Sequence, residues 1–169
     1  PGVGVCTPES EQVRERYRAV IAQFKVASMA RYQPSLGGPV AGGPVAGGPV
    51  AGGPVAGGPG ASGRTTYCNI YVQDIAAAMG VPLPLKTANA TLEMLKSGLV
   101  KNWHVDTRHN AVAAAQDGRP AIVGWINPTG GPGHIAMVRP ESSLAPDGIV
   151  CIAQAGAECF QMGPLSQGF

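Results

Sequence analysis

The stretch TYCNIYVQDIAAAMG, residues 66–80, decides the fold of this chain. Its body is apolar at most positions, and Gly80 is the residue type that most often follows the last turn of a helix. The pattern predicts a helix over 66–79 with Cys68 in its first turn. A helix this apolar leaves little surface for water, so we expect it at the centre of the domain.

A second, amphipathic helix is predicted earlier in the chain, over residues 7–30. Thr7 and Pro8 form a typical helix start. Tyr17, Ile21 and Phe24 then recur at helical spacing on one face. A single helix cannot form a domain alone, so we expect this face to pack on the rest of the chain.

Residues 37–61 form a low-complexity tract in which Gly-Gly-Pro-Val-Ala recurs and closes as Gly-Gly-Pro-Gly-Ala. A proline in every repeat excludes a continuous helix or a central strand, and paired glycines are costly to order. We interpret the tract as a flexible insert within one domain. The core of that domain is then expected in residues 64–169.

The elements predicted after residue 80 alternate less regularly than in a parallel α/β protein. They are a helix over 88–97 capped by Thr87, a short strand at 103–105, a helix from Asp106 to Gln116, and strands over 120–127, 134–139 and 148–155. Helices first and an antiparallel meander last predict an α+β fold.

Charge and hydropathy exclude several classes of function. The chain has 12 basic and 10 acidic residues, a formal net charge of +2, and no basic run interleaved with aromatic residues. Binding to nucleic acid is therefore not expected. No stretch reaches the roughly 18 consecutive apolar residues of a membrane span.

His104 and His109 fall on different predicted elements, so we expect no metal site and no cofactor.

The chain has four cysteines, at positions 6, 68, 151 and 159. Their spacing fits neither a disulfide framework nor a zinc knuckle. We expect Cys159 in a loop and Cys151 on the strand face opposite Gln154. Pairing of these two with each other or with Cys6 stays open.

Three residues have the types and positions that thiol chemistry needs. Cys68 begins a helix, where the positive end of the dipole stabilises a thiolate. His134 begins a strand directly after a glycine-rich loop. Gln154 ends an apolar strand and can accept a hydrogen bond from the Nδ1–H of His134. Each also has an ordinary structural interpretation: core packing for Cys68, a loop contact for His134 and backbone hydrogen bonding for Gln154.

The order of these residues resembles the papain-like amidases of the CHAP and NlpC/P60 type. The resemblance rests on TYCNIYVQD at 66–74, GHIAMV at 133–138 and IAQAG at 152–156, and the segment RYQP at 31–34 is similar to the lead-in of such domains. It implies a papain-like α+β fold with helices packed on a small antiparallel sheet. CHAP domains more often use Glu, Asn or Asp in third place, so Glu158 and Asn127 are alternatives to Gln154.

The resemblance also implies a function. Cys68 would cleave a peptide or amide bond of peptidoglycan through a thioester, with His134 as base and no cofactor. Tyr67, Asn69, Gln73 and Trp125 are predicted to line the substrate cleft. We expect a monomer that acts on peptidoglycan or a peptide, secreted or in the cell wall or periplasm, of phage or bacterial origin.

Two alternatives stay open at this point. One is a non-catalytic wall- or protein-binding module with the same fold. The other is a cysteine protease or amidase that acts on protein, since it would use the same catalytic residues and differ only in the shape of its cleft.

Overall fold

A computed structural model describes residues 8–33 and 67–169 of the chain. The predicted cap at Thr7, the cysteine at position 6, the tract at 37–61 and residues 64–66 lie outside this part. Within the described residues the chain forms five α-helices, one 3-10 turn and a four-stranded antiparallel sheet. The predicted α+β class is therefore confirmed.

The helices and strands have the following bounds. The helices are α1 (Pro8–Gln23), α2 (Cys68–Ala78), α3 (Ala88–Lys96), α4 (Arg108–Gln116) and α5 (Leu165–Gly168), and the 3-10 turn is Ala30–Tyr32. The strands are β1 (Ala121–Trp125), β2 (His134–Val138), β3 (Cys151–Ala155) and β4 (Cys159–Pro164). The first helix thus ends earlier than the predicted residue 30, and the 3-10 turn follows it separately.

The sheet is a meander in which each strand pairs with the next, in the order β1-β2-β3-β4. Trp125 lies opposite His134, and Ala155 lies opposite Cys159. The prediction that Cys159 lies in a loop is therefore wrong, because this residue begins β4. Gly163 and Pro164 are residue types that sequence patterns associate with turns, so β4 was not predicted. An edge strand tolerates a proline, because the missing N–H would face away from the sheet.

Two further elements differ from their prediction. Residues 103–105 form no strand; the indole Nε1 of Trp103 donates instead to the carbonyl O of Val81, at 3.0 Å. The cap of α4 is Thr107 rather than Asp106, because the Thr107 hydroxyl accepts from the backbone N–H of Asn110. The Asp106 carboxylate supports the same turn by accepting from the Asn110 side chain.

Helix α2 lies at the centre of the described structure, as predicted. It packs against β2, β3, α1, α3 and the 3-10 turn. Its buried residues are Cys68, Asn69, Ile70, Tyr71, Val72, Gln73, Ile75 and Ala76. Tyr17 and Ile21 of α1 belong to the same buried cluster. The segments 8–33 and 67–169 therefore build one core.

The carboxylate of Asp74 joins α2 to the 3-10 turn. Arg31 donates to it twice, from Nε at 2.8 Å and from Nη2 at 3.0 Å, and the hydroxyl of Tyr32 donates at 2.6 Å. Burial and the neighbouring Asp74 carboxylate both raise the pKa of Tyr32, so its hydroxyl keeps the proton that it donates. The Tyr32 ring also meets the edge of Tyr71, with centroids 5.2 Å apart.

We expect Asp74→Ala to lower the free energy of unfolding by about 2–3 kcal/mol. The substitution leaves a partly buried guanidinium and a buried hydroxyl without their acceptor, and hydrogen bonds to charged groups have this magnitude. Urea unfolding of the purified protein measures the change.

Asp117→Ala is the matched control, because the Asp117–Arg119 pair is well exposed on both sides. Loss of this ion pair should lower the free energy of unfolding by no more than about 0.5 kcal/mol. Equal effects of the two substitutions would contradict a structural role for the Asp74 network.

Candidate active site

The first turns of α2 bind the connector that leads to α3. The side-chain amide of Asn69 donates to the carbonyl O of Lys86 at 2.8 Å. Gln73 donates to the carbonyl O atoms of Pro84 and Lys86, each at 2.8 Å. The helix end that carries Cys68 is thereby tied to the start of α3.

Asn89 in the first turn of α3 binds the loop that precedes His134. Its side-chain nitrogen donates to the carbonyl O of Gly131 at 2.9 Å, and its side-chain oxygen accepts from the backbone N–H of Asn127 at 3.1 Å. A Cβ at Gly133 would overlap this amide, so glycine is required there for close approach. The contacts of Asn69 and Asn89 together bring the start of α2 and the start of β2 to the same end of the domain.

His134 and Gln154 form the central contact of the site. The Nε2 atom of His134 lies 2.7 Å from Oε1 of Gln154. The amide nitrogen of Gln154 donates to the backbone O of Glu158 at 3.2 Å, so its oxygen must be the atom turned to the imidazole. Since an amide oxygen only accepts, Nε2 carries the proton and Nδ1 keeps the lone pair of the neutral ring.

The sequence-based expectation was that the Nδ1–H of His134 donates to Gln154. In the structure Nε2 makes this contact instead. The long Gln154 side chain reaches the far side of the ring, and Nδ1 is left available as a base. Gly156 makes room for the ring, because a Cβ at this position would lie 3.2 Å from its Cε1 atom. Which ring nitrogen binds Gln154 is decided by this packing.

Burial lowers the pKa of His134, and the hydrogen bond with Gln154 opposes part of that change. Removal from water disfavours the charged imidazolium. The folded protein therefore favours the neutral ring, which is the form that accepts a proton.

Trp125 lies beside His134, because it is the directly opposite residue on β1. Its side chain is 49% exposed. It also lines a groove of about 1060 Å³ that follows β1 between α3 and α4. The groove is mainly apolar, with Lys96, Arg108 and Arg119 among its polar side chains.

The other predicted cleft residues lie deeper. Tyr67, Asn69 and Gln73 are all at most 5% exposed, and the two amides bind the connector as described above. Cys68 is 1% exposed, at the first position of α2. The arrangement thus brings His134 next to Gln154 and Trp125, while Asn69 and Gln73 bind the protein backbone.

The two alternatives for the third catalytic group have other contacts. The side-chain oxygen of Asn127 accepts from Thr129, and its nitrogen donates to the carbonyl O of Pro132 at 3.2 Å. The carboxylate of Glu158 accepts from Gln167 at 3.3 Å. Gln154 is therefore the candidate that meets the imidazole.

The contacts of two residues near the site were not predicted from the sequence. Asn89 is interpreted there as a polar residue of the helix over 88–97, with a role in the cleft as the alternative, but its contact with the loop is not predicted. The ring of Phe169 packs against that of His134, with centroids 4.8 Å apart and planes tilted by 55°. No local pattern in the sequence connects these two rings.

The described cysteines other than Cys68 do not join the site chemistry. Cys151 and Cys159 are free thiols. Burial raises the pKa of Cys151 and of Cys159, which lowers their thiolate fraction at neutral pH. Within residues 8–33 and 67–169 no cluster of ligating side chains is suited to a metal ion. No helix among them is long and apolar enough to cross a bilayer.

Comparison of the chain with protein-family models, with curated proteins and with solved structures gives no match. Its function must therefore be argued from the residues of the site and their geometry.

We expect Asn89→Ala to lower the free energy of unfolding by about 1–2 kcal/mol, because it removes two hydrogen bonds to partly buried backbone groups. Amide hydrogen exchange should also become faster in residues 127–133. The control is Asn110→Ala, since that amide donates to the exposed Asp106 carboxylate just before α4. Unchanged exchange in the loop of Asn89→Ala would contradict this role.

The lowered pKa of His134 should also appear in the pH dependence of stability. Between its ordinary pKa of about 6.5 and the lower value in the folded protein, the unfolded chain binds more protons, so the stability falls as the pH falls through this window. Urea unfolding at a series of pH values measures the slope. His134→Gln should reduce it, with His109→Gln as the exposed control; equal slopes in wild type and His134→Gln would contradict the assignment.

Proposed function

We propose that this protein is a papain-like cysteine hydrolase that cleaves a peptide or amide bond of peptidoglycan, with Cys68 as nucleophile, His134 as base and Gln154 as the residue that orients the base. The 2.7 Å contact between Nε2 of His134 and Oε1 of Gln154 carries the proposal. It gives the imidazole one tautomer, with Nδ1 as proton acceptor. A neutral ring with one unprotonated nitrogen is the form that a general base requires.

The first half of the reaction forms a thioester. Nδ1 of His134 takes the proton of the Cys68 thiol, and the thiolate attacks the carbonyl carbon of the substrate. The positive end of the α2 dipole stabilises both the thiolate and the oxyanion of the tetrahedral intermediate. The intermediate collapses as His134 gives the proton to the leaving amine.

The second half hydrolyses the thioester. His134 takes a proton from water, the hydroxide attacks the thioester carbonyl, and the sulfur leaves with that proton as the thiol. The carboxylic acid product is released, and the enzyme returns to its starting state. Gln154 stays neutral throughout, so it orients the imidazole but adds no negative charge beside the imidazolium.

The groove along β1 supports the proposal, because an extended substrate could bind in it. Trp125 stands between this groove and His134, and its exposed ring offers an apolar surface to a bound chain. Three cationic side chains of the groove, those of Lys96, Arg108 and Arg119, outnumber its one carboxylate, that of Asp106, which suits an anionic wall. We propose that the protein acts as a monomer and is secreted or located in the cell wall or periplasm. Its role there would be lytic or wall-remodelling.

The burial of Cys68 favours a different candidate, a non-catalytic wall-binding module. A nucleophile that is 1% exposed meets a substrate only after neighbouring side chains move. A module of this kind would bind purified cell walls without releasing fragments. A cysteine protease would instead release peptides from protein and leave walls intact.

We expect Cys68→Ala to abolish the clearing of a suspension of purified cell walls, by at least about a thousandfold in rate, because the thioester of the proposed mechanism forms on the Cys68 sulfur. Cys151→Ala, a free cysteine on the neighbouring strand, is the matched control and should keep the wild-type rate. Mass spectrometry of the released fragments identifies the bond that is cut. Clearing that survives in Cys68→Ala would end the proposal.

We expect Gln154→Ala to lower kcat about tenfold to a hundredfold, because the imidazole loses the acceptor that selects its tautomer. Gln154→Glu keeps an acceptor oxygen and should retain more activity than Gln154→Ala. Equal kcat for wild type and Gln154→Ala would show that Gln154 does not orient the base.

We expect Trp125→Ala to raise KM for wall fragments several-fold while leaving the unfolding midpoint nearly unchanged, since half of the side chain is already exposed. Leu99→Ala removes a side chain that is 70% exposed, and it serves as the control. An unchanged KM in Trp125→Ala would contradict a role for this residue in binding the substrate.

A further inference from the structure

The last residues of the described chain cover the contact between His134 and Gln154. Helix α5 follows β4 directly, and the backbone N–H of Leu165 donates to the carbonyl O of Val150 at 2.8 Å. Gln167 donates to the Glu158 carboxylate at 3.3 Å. These two bonds join α5 to the residue just before β3 and to the turn that also binds the amide of Gln154.

Gly168 and Phe169 then approach the site itself. A Cβ at Gly168 would overlap Oε1 of Gln154 and would lie 2.7 Å from a methyl carbon of Ile152. The ring of Phe169 lies 4.8 Å from the imidazole of His134, tilted by 55°. Both members of the central hydrogen bond are thus covered by adjacent residues.

We infer that Gly168 and Phe169 are positioning residues of the candidate active site, which shield the hydrogen bond between His134 and Gln154 from water and keep the imidazole in the orientation that its role as base requires. This inference rests on the proposed function for its catalytic consequence. The shielding itself can be measured without any activity.

Shielding matters because water competes for both partners of this hydrogen bond. A neutral hydrogen bond between side chains contributes little where water reaches it, and more where the surroundings are apolar. The Phe169 ring, although 46% of the residue is exposed, covers one side of the imidazole without offering it a polar atom. Without the ring, the imidazole could rotate and the protonated form would be solvated.

The elements around the ring carry the following titratable or charged groups: Cys68, Tyr71 and Asp74 on α2, Arg31 and Tyr32 in the 3-10 turn, Cys159 at the start of β4, and Glu158 between β3 and β4. The Glu158 carboxylate binds Gln167, and the Cys159 sulfur lies 3.3 Å from the carbonyl O of Tyr32. Burial is the main cause of the low pKa of His134. A change in the covering ring should therefore change that pKa directly.

The test compares Phe169→Ala with Phe169→Tyr in the full chain. NMR titration of the imidazole C–H signals, assigned with His134→Gln, gives the pKa of His134. Phe169→Ala should raise this pKa towards its ordinary value of about 6.5, since the cation regains water. Phe169→Tyr keeps a ring and should retain the wild-type pKa. Identical values in wild type and Phe169→Ala would overturn the inference.

A second pair of variants tests the contact with Gln154. Gly168→Ala should push the Gln154 amide away from His134 and lower kcat for wall cleavage about tenfold, with little change in KM. Ser166→Ala, an exposed position of the same helix, is the control. Thermal unfolding of all variants separates a local effect from loss of the fold, and unchanged kcat in a folded Gly168→Ala would also contradict the inference.

The two readouts separate this inference from the proposed function. If no variant and no wild-type sample cleaves cell walls, the hydrolase proposal fails while the NMR result still decides whether Phe169 covers the imidazole. If walls are cleaved but the pKa of His134 does not respond to Phe169→Ala, the hydrolase stands and the positioning role fails.

Discussion

The burial of α2 is the constraint on which the rest of the structure depends. A helix with so apolar a body must be covered on all sides, and strands, helices and the N-terminal segment all contribute to that cover. Polar side chains along it bind protein groups on the neighbouring segments. Asn69 and Gln73 bind the connector to α3, and Asp74 binds the 3-10 turn. One helix thereby positions segments from both sides of residues 34–66.

Side-chain amides connect much of this structure. Only 13% of the residues are charged, so the chain has few ion pairs with which to join its elements. Asn89 binds the loop before β2, and Gln154 bridges His134 to the backbone of Glu158. An amide can donate and accept at once and needs no counter-charge, so it can link two segments inside a weakly charged domain. The candidate base is oriented by the same means.

The geometry around His134 therefore depends on several distant segments. The loop that delivers the residue is bound by α3, the orienting amide comes from β3, and the covering ring follows α5. Each contact is modest alone, but together they leave the imidazole one tautomer and a buried position. The orientation and burial of His134 should therefore respond to substitutions in any of these segments.

The sequence by itself determined the elements that have a local signature: α2 from its apolar body, α3 from its cap and closing glycine, and three strands from their apolar runs. It also identified Cys68, His134 and Gln154 as candidates, from residue type and position in those elements. Tertiary structure alone decided that β4 exists, which imidazole nitrogen meets Gln154, and that Asn89 and Phe169 adjoin the site. These features arise where segments far apart in the chain meet, and local periodicity carries no information about such contacts.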